Sequence, residues 1–228
     1  MSHGAWLSRM PGQCEVCRSA TCAALCPDCV NRFAAPRLRC RRCALPLDQG
    51  DVCGECLRAP PPFEHTACAA DYGFPWDGLV AGLKFHGRVE LAAALAPLLA
   101  EATQALPPPD LVVPVPLSAR RLAGRGYNQA WELARRVAAA RRLAARADLL
   151  ERIVDTPPQA ELGRAERLSN LRAAFHVPPG ARVALQGRRV ALVDDVATTG
   201  TTLREAAAAL RRGGAAAVDA WVFARTPE

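Results

Sequence analysis

Residues 190–203 read VALVDDVATTGTTL, and this stretch decides the fold. It begins with a short unbroken run of Val, Ala and Leu, which is typical of a strand that is buried on both faces. Two adjacent acids, Asp194 and Asp195, end the run. A loop of small hydroxyl residues around Gly200 follows, and a helix is predicted over residues 201–212. The succession predicts one strand–loop–helix unit with polar groups gathered where the strand ends.

The loop and the two acids suit different parts of one ligand. Gly200 lets the backbone approach an anion closely, and the amides at the start of a helix favour a phosphate. Asp194 and Asp195 are acceptors for the hydroxyls of a sugar. The pattern therefore predicts a site for a ribose 5-phosphate, with the diol on the two acids and the phosphate on the loop residues Thr198, Thr199, Gly200, Thr201 and Thr202.

A helix cap and a Walker loop both fit this stretch less well. An Asp that caps a helix beside loop threonines is common, but it does not require two adjacent acids at the end of an apolar strand. A Walker loop is excluded, because no lysine follows Gly200.

The same alternation of strands and helices continues outward from this motif. Apolar runs predict strands at residues 111–115, 149–154, 189–194 and 218–223, and helical patterns cover residues 128–147, 164–175 and 201–212. Strands that alternate with helices predict an α/β fold with a parallel, doubly wound sheet. In such sheets ligands bind beyond the carboxyl ends of the strands, which is where the acidic pair lies.

The cysteines divide the chain into two parts. All ten precede residue 69, and eight form Cys-x-x-Cys pairs, a spacing that lets two thiolates of a tight turn bind one metal ion. We predict structural Zn²⁺ in a small N-terminal domain; sequential pairing would give two zinc ribbons, and interleaved pairing or a single occupied site stays open. The metal-ligand candidates are Cys14, Cys17, Cys26, Cys29, Cys40, Cys43, Cys53 and Cys56.

Composition sets the domain boundaries and the compartment. A zinc ribbon domain is predicted at residues 1–58, a proline-rich linker at 59–76 and the α/β domain at 77–228. No apolar run is long enough to span a membrane, and the N-terminus lacks the apolar core of a secretory signal. We therefore expect a cytoplasmic protein without membrane insertion, whose thiols stay reduced.

The basic residues are unevenly distributed. The net charge is +7, and residues 111–152 hold nine arginines against three acids. Arginines of one predicted helix, Arg135, Arg136 and Arg142 among them, form either a stripe that tracks a phosphate backbone or an ordinary solvated face. The basic run RLRCRR at residues 37–42 leaves the same two possibilities open.

Residues 190–203 resemble the phosphoribosyl pyrophosphate (PRPP) motif of type I phosphoribosyltransferases. The wider pattern resembles the ComF/ComFC family of competence-associated proteins, which joins a double zinc ribbon to a phosphoribosyltransferase-like domain. The family usually has Phe where Tyr127 stands. The elements that carry the resemblance are VPVPL at 113–117, RGYNQ at 125–129, and Gln159, Leu162, Arg167, Asn170 and Phe175.

The resemblance implies a ligand and several further roles. It implies PRPP with Mg²⁺, with Asp194 and Asp195 on the ribose. Arg120 and Arg121 would follow the first core strand at the pyrophosphate loop, although a solvated loop is the alternative. Arg125 would face the phosphates, and Arg164 and Arg167 would belong to a mobile active-site loop. Lys84 lies in GLKFHGR, which also resembles a family element, but we expect a surface lysine.

Two functions follow from the resemblance. One is pentosyl transfer from PRPP to an unknown acceptor. The alternative is a non-catalytic accessory factor that binds single-stranded DNA during natural transformation, with competence or recombination proteins as partners. Aromatic residues are sparse beside the arginines of residues 111–152, so sequence-specific reading of bases is not expected.

Overall fold

The structure is a computed structural model, and it describes residues 12–153 and 174–227. Two short hairpin strands and two short helices belong to the cysteine-rich part, and the remaining elements build the α/β body. In chain order the elements are β1 (Gly12–Gln13), β2 (Ala20–Thr21), α1 (Pro27–Phe33), α2 (Gly54–Arg58), β3 (Thr66–Asp71), α3 (Trp76–Phe85), α4 (Leu91–Ala102), β4 (Leu111–Pro114), α5 (Ala119–Arg125), α6 (Gln129–Arg141), β5 (Ala144–Ala145), β6 (Glu151–Arg152), β7 (Phe175–His176), α7 (Arg182–Leu185), β8 (Arg189–Ala197), α8 (Thr201–Arg212) and β9 (Ala217–Arg225).

The body is built on a five-stranded sheet in the order β3-β9-β8-β4-β5, and every neighbouring pair is parallel. Alternate residues of the central strands face opposite layers, as the two-residue period of a strand requires. Ala191 and Val193 pack in the cluster that contains α3, α4 and α6, whereas Val190 and Leu192 pack in the cluster that contains α8. Helices therefore cover both faces, and the predicted doubly wound sheet is confirmed.

The order of the strands produces a switch point at the centre of the sheet. From β4 the chain passes through α6 to β5 at one edge, and from β8 it passes through α8 to β9 in the opposite direction. The carboxyl ends of β4 and β8 are neighbours in this sheet, because Pro114 pairs with Val193. A crevice opens at such a position because the two connections leave in opposite directions.

Several predicted elements have different bounds or different partners. The helix predicted over 128–147 ends at Arg141, because Arg142 adopts a left-handed conformation (φ 56°) and residues 144–145 join the sheet as β5. The strand predicted at 149–154 is wrong as a member of the main sheet: only Glu151–Arg152 is a strand, and it pairs antiparallel with β7. The helix predicted over 164–175 lies largely outside the described residues, and its end is a strand.

The central part of the predicted linker, residues 59–76, contains regular structure. Residues 66–71 form β3, an edge strand that pairs with β9. Backbone and side-chain bonds also fasten the cysteine-rich part to the body: the Thr66 amide donates to the Arg41 carbonyl, and Trp76 Nε1 donates to the Phe33 carbonyl at 2.8 Å. The proline count indicated an open connection, whereas pairing with β9, with Ala67 and Ala70 buried, makes TACAAD a strand. The division at residues 58 and 76 stays a prediction.

Among the described residues, no helix has both the length and the apolar character that crossing a membrane requires.

Candidate functional site

A cleft of about 590 Å³ opens at the carboxyl ends of β3, β4 and β8. Its floor includes Asp194 and Asp195 at the end of β8, and its walls come from the end of α3, the turn after β4 and the start of α8. The described residues that line it include Tyr72, Lys84, Phe85, Pro116, Arg121, Arg125, Gln129, Arg152, Thr198 and Thr202. The position is the one that the switch point of the sheet predicts.

The two acids of the motif have different surroundings. Asp194 is half-buried, whereas the side chain of Asp195 is 1% exposed and its Oδ2 lies 2.8 Å from Lys84 Nζ. Neighbouring residues of a strand point to opposite faces, so Asp195 points to the face that carries α3. The expectation that Lys84 is a surface lysine is therefore wrong: its side chain is 24% exposed and forms an ion pair inside the cleft.

The pair of acids shifts the ionisation of the cleft. Burial raises the pKa of the Asp194 carboxyl well above its usual value, the Asp195 charge raises it further, and Lys84 opposes both effects. Burial alone would lower the pKa of Lys84, but the charges of Asp195 and Asp194 outweigh it, and the net shift is upward. The cleft thus holds one positive charge, on Lys84, that interacts with the carboxyl groups of both Asp194 and Asp195.

The loop after β8 has the geometry of an anion site. Gly200 has a φ of 73° and begins α8, and it supplies no side chain to cap the helix. The hydroxyls of Thr199 and Thr201 lie 2.8 Å apart. Thr198 and Thr202 line the main cleft, whereas Thr199 and Gly200 border a small neighbouring hollow. Amides at an uncapped helix start favour a phosphate, because the helix dipole and the free N–H groups act together.

Arg225, at the end of β9, holds the base of this loop. The residue is 5% exposed, and its guanidinium donates to the carbonyls of Ala197 (3.2 Å) and Thr198. It also donates to the carbonyl of Cys43 at 3.1 Å. One buried cation thus connects the loop to the second cysteine cluster.

The RGYNQ element mainly supports the cleft wall. Gly126 ends α5 with a φ of 81°, and the side chain of Asn128 caps α6 and donates to the Val115 carbonyl at 3.0 Å. The Tyr127 hydroxyl donates to the Leu83 carbonyl, next to Lys84. Arg125 donates to Gln129 Oε1, and its guanidinium lies 5.4 Å from the centre of the Phe85 ring.

The predicted phosphate-binding arginines separate into three groups. Arg121 and Arg125 line the cleft, whereas Arg120 is exposed on α5 and does not line it. Arg164 and Arg167 lie outside the described residues. Arg152, which was not predicted, also lines the cleft, and its guanidinium lies 5.3 Å from the centre of the Phe175 ring.

The eight paired cysteines form two compact clusters, and the pairing is sequential. The four sulfurs of Cys14, Cys17, Cys26 and Cys29 lie within 4.8 Å of one another, and so do those of Cys40, Cys43, Cys53 and Cys56. Within the clusters the sulfurs of Cys17 and Cys26 are 3.6 Å apart, as are those of Cys43 and Cys53. A tetrahedron of thiolates around zinc has edges of about 3.8 Å, so both clusters fit the ion.

The backbone of each cluster favours thiolates. Burial opposes ionisation of Cys14, but amide donors from Cys17 and Cys26 outweigh it and lower the thiol pKa to about 6. In the same way, burial opposes ionisation of Cys40, and amides of the second cluster lower its pKa to about 7. The donor distances repeat as well: the amides of Cys26 and Cys53 each lie 3.3 Å from the first sulfur of their cluster.

Comparison with known proteins accounts for this combination of clusters and cleft. The model of the phosphoribosyl transferase domain family matches residues 109–228. The DNA utilization protein YhgH of Escherichia coli (strain K12) is 36% identical over 227 residues, which cover 95% of this chain and 98% of that protein. Competence protein F of Haemophilus influenzae is 32% identical over 208 residues, which cover 88% of this chain and 90% of that protein. The chain belongs to the ComF family of phosphoribosyl transferase-domain proteins.

A solved structure with part of this fold is the glutamine PRPP amidotransferase from B. subtilis. It is 23% identical to this ComF-family chain, and the match covers 56% of this chain and 25% of that one with a TM-score of 0.39.

The arginines predicted to contact DNA are largely engaged within α6 of this ComF-family chain. Arg135 (2.5 Å) and Arg136 both pair with the carboxylate of Glu132. Arg142 is exposed at the end of the helix and, among the described residues, has no acidic partner. The stripe that the sequence predicted is thus interrupted by a shared counter-charge.

Three functional candidates of this ComF-family chain escaped sequence reasoning: Lys84, Arg152 and Arg225. Lys84 is the only lysine in the chain, and that rarity was the available signal for it. Arg225 carried no such signal, because it is one arginine among many and its partners are backbone carbonyls.

Proposed function

We propose that the chain binds PRPP in the cleft at the carboxyl ends of β3, β4 and β8 and transfers its phosphoribosyl group to an acceptor. The observation that carries this proposal is the meeting of the Asp194–Asp195 pair with an uncapped, Gly200-started helix at the switch point of the sheet. The pair accepts hydrogen bonds from the ribose hydroxyls, and the loop of Thr198–Thr202 takes the 5-phosphate.

The reaction needs electrostatic stabilisation rather than a nucleophilic side chain. The bond from C1 to pyrophosphate breaks, its electrons leave with pyrophosphate, and the acceptor forms the new bond to C1 and loses a proton. Arg121, Arg125 and Arg152 line the side of the cleft where negative charge would leave. Lys84 Nζ holds the Asp195 carboxylate at 2.8 Å, and we expect this carboxylate to lie near the ring as positive charge grows on it.

The proposal assigns different roles to Zn²⁺ and Mg²⁺. Zn²⁺ in the two cysteine clusters is structural, because each cluster supplies four sulfurs and leaves no open position. Mg²⁺ would enter with PRPP, and the half-buried Asp194 offers the carboxylate oxygens that this ion prefers. When bound, Mg²⁺ would neutralise charge on the pyrophosphate.

Calorimetry with PRPP and Mg²⁺ tests the proposal. We expect Asp194→Asn and Asp195→Asn each to weaken binding by about 10-fold to 100-fold, because each removes a charged acceptor. Asp148→Asn is a matched control, since it makes the same charge change on an exposed residue that does not line the cleft. A folded, zinc-loaded protein that takes up no PRPP at millimolar concentration would refute the proposal. Release of pyrophosphate with a candidate acceptor, lost in Asp195→Asn, would establish turnover.

A second candidate function is binding of single-stranded DNA as an accessory factor in competence, with or without turnover. The names of the relatives, a DNA utilization protein and a competence protein, favour it. A net charge of +7 also favours a polyanionic partner. Competence or recombination proteins would then be its protein partners, in the cytoplasm. This function is distinguished from PRPP binding by a DNA affinity that is unchanged in Asp195→Asn and falls steeply as the salt concentration rises.

A further inference from the structure

A second cleft, of about 600 Å³, lies at the amino ends of the strands, whereas the PRPP candidate site lies at their carboxyl ends. Its walls come from two distant parts of the chain: the first turn of the second cysteine cluster supplies Arg41 and Arg42, and the end of α8 supplies Arg211 and Arg212. Val218 lines it at the start of β9, which places the cleft at the amino ends of the strands.

The positive charge of this second cleft is largely uncompensated. Over residues 12–153 and 174–227, the guanidinium groups of Arg42, Arg211 and Arg212 form no ion pair. Arg41 pairs with Asp51 at 3.1 Å. The other arginines of the RLRCRR run are engaged elsewhere, because Arg37 and Arg39 both pair with Asp71.

The acids near the second cleft already have partners. Glu64 lines the cleft, but its carboxylate pairs with Arg189 at 2.9 Å. The buried Asp219 accepts from Arg189 at 2.9 Å and from His65 Nδ1 at 3.0 Å. Glu64 is the one carboxylate among the described residues that line the cleft, and it shares Arg189 with Asp219, so the three unpaired arginines outnumber the negative charge available there.

Complementing the dipole of α8 explains only part of this arrangement. Basic residues in the last turn of a helix are stabilising by themselves, which accounts for Arg211 and Arg212. The helix dipole does not account for Arg42, which belongs to the cysteine-rich part, is half-buried and lines the same cleft. Like charges from two separate elements repel each other, and an anion between them removes that cost.

The shape of the second cleft favours a chain of phosphates over a single ion. Its volume far exceeds that of one phosphate, and its floor includes the apolar residues Pro61, Phe63, Ala208 and Val218, which suit the sugar of a nucleotide. Guanidinium groups bind phosphate in a forked geometry. A flexible single strand can lay successive phosphates along arginines that come from two separate elements.

We propose that this second cleft binds the phosphodiester backbone of single-stranded nucleic acid through Arg42, Arg211 and Arg212. The proposal rests on the second candidate function, nucleic-acid binding, and is independent of PRPP.

Fluorescence anisotropy with a labelled oligothymidylate, at several salt concentrations, tests the proposal on the full zinc-loaded chain. We expect Arg42→Gln and the double variant Arg211→Gln/Arg212→Gln each to weaken binding and to reduce the slope of log affinity against log salt by about one for each arginine removed. The matched control is Arg32→Gln/Arg58→Gln, which removes the same charge at two exposed arginines in the last turns of α1 and α2 that do not line the cleft, and it should change affinity less than twofold. Arg→Lys at the three cleft positions keeps the charge and should restore the salt slope but not the full affinity, because lysine cannot make the forked contact.

The outcomes separate the two levels of the proposal. Equal losses of oligonucleotide affinity in the cleft and control variants would show that only net charge matters. Unchanged affinity in the cleft variants would show that the strand binds elsewhere. Either result overturns the assignment of the cleft. Absence of oligonucleotide binding by the wild type, with PRPP binding intact, would refute the second candidate function itself. Circular dichroism and zinc content of each variant confirm that loss of binding is not loss of folding.

Discussion

Lys84 Nζ lies 2.8 Å from the carboxylate of Asp195 and joins the end of α3 to the end of β8. The contact places the single lysine of the chain in the centre of the acidic motif. Because the carbonyl of the preceding residue, Leu83, accepts from Tyr127, the same turn of α3 is also fastened to the RGYNQ element. Three stretches that are distant in sequence thus define one cleft.

Replacing Lys84 with Met should destabilise the protein in a manner that depends on pH. At neutral pH we expect a loss of about 1–3 kcal/mol in the free energy of unfolding, because the buried Asp195 loses its counter-charge. The pKa of Asp194 is already raised in the folded chain, so stability falls as pH rises above the ordinary aspartate pKa. Without the lysine the Asp194 carboxyl loses the charge that opposes its raised pKa, so that pKa rises further and the deficit should grow with pH.

Urea unfolding of wild type and Lys84→Met at about pH 5 and about pH 8 measures this deficit. Lys84→Arg is the control that keeps the charge and should show a much smaller deficit. A deficit of the same size at both pH values would contradict the prediction.

Gly200→Ala should strain the phosphate loop through the backbone alone. A Cβ at Gly200 meets no atom within 4 Å, so the cost comes from the φ of 73° and should be about 1 kcal/mol of unfolding free energy. Gly180→Ala is the matched control, since its Cβ also meets open space and its φ is not positive. If the two variants unfold at the same denaturant concentration, the strain at Gly200 has been overestimated.

Each cysteine cluster should account for one zinc ion. We expect metal analysis to find two zinc ions per wild-type chain and about one in Cys26→Ser or Cys53→Ser, because a tetrahedral site with three thiolates binds far more weakly. Cys22→Ser, at an exposed cysteine outside both clusters, should leave two. Loss of both ions from a single-cluster variant would mean that the clusters do not bind metal independently.

Arg225→Met should destabilise the protein strongly, although Arg225 pairs with no carboxylate among the described residues. The substitution leaves the carbonyls of Cys43, Ala197 and Thr198 without their buried donor, and we expect a loss of about 2–4 kcal/mol of unfolding free energy. Arg188→Met, at an exposed arginine, should change it by less than about 0.5 kcal/mol. Equal effects of the two substitutions on chemical denaturation would show that Arg225 does not hold the loop.

Local patterns predicted much of the fold. The helix over residues 201–212 has the predicted bounds, and the apolar runs around Val112, Leu192 and Val222 are the core strands. These predictions succeed because strand and helix periodicity, glycine conformation and the Cys-x-x-Cys turn depend on neighbours in sequence.

Predictions failed where long-range pairing decides the structure. Residues 66–71 (TACAAD) have no strand periodicity in sequence, and pairing with the edge of β9 makes them a strand. The described part of the strand predicted at 149–154, residues 149–153, includes Leu149, Leu150 and Ile153, yet it is not part of the main sheet. Intrinsic strand propensity is weak compared with the free energy gained from a packed partner, so the identity of the partner decides.

Local sequence was enough to indicate the classes of chemistry: two adjacent acids before a glycine-started helix, four cysteine pairs, and an excess of arginine. Which of these groups meet depends on the folded chain. It brought Lys84 to Asp195, grouped the cysteine pairs in chain order, assigned Arg135 and Arg136 to Glu132, and left Arg42 facing the end of α8. The physical reason is that a charged group is stabilised by whatever lies within a few ångströms of it, and the order and direction of the strands set those neighbours.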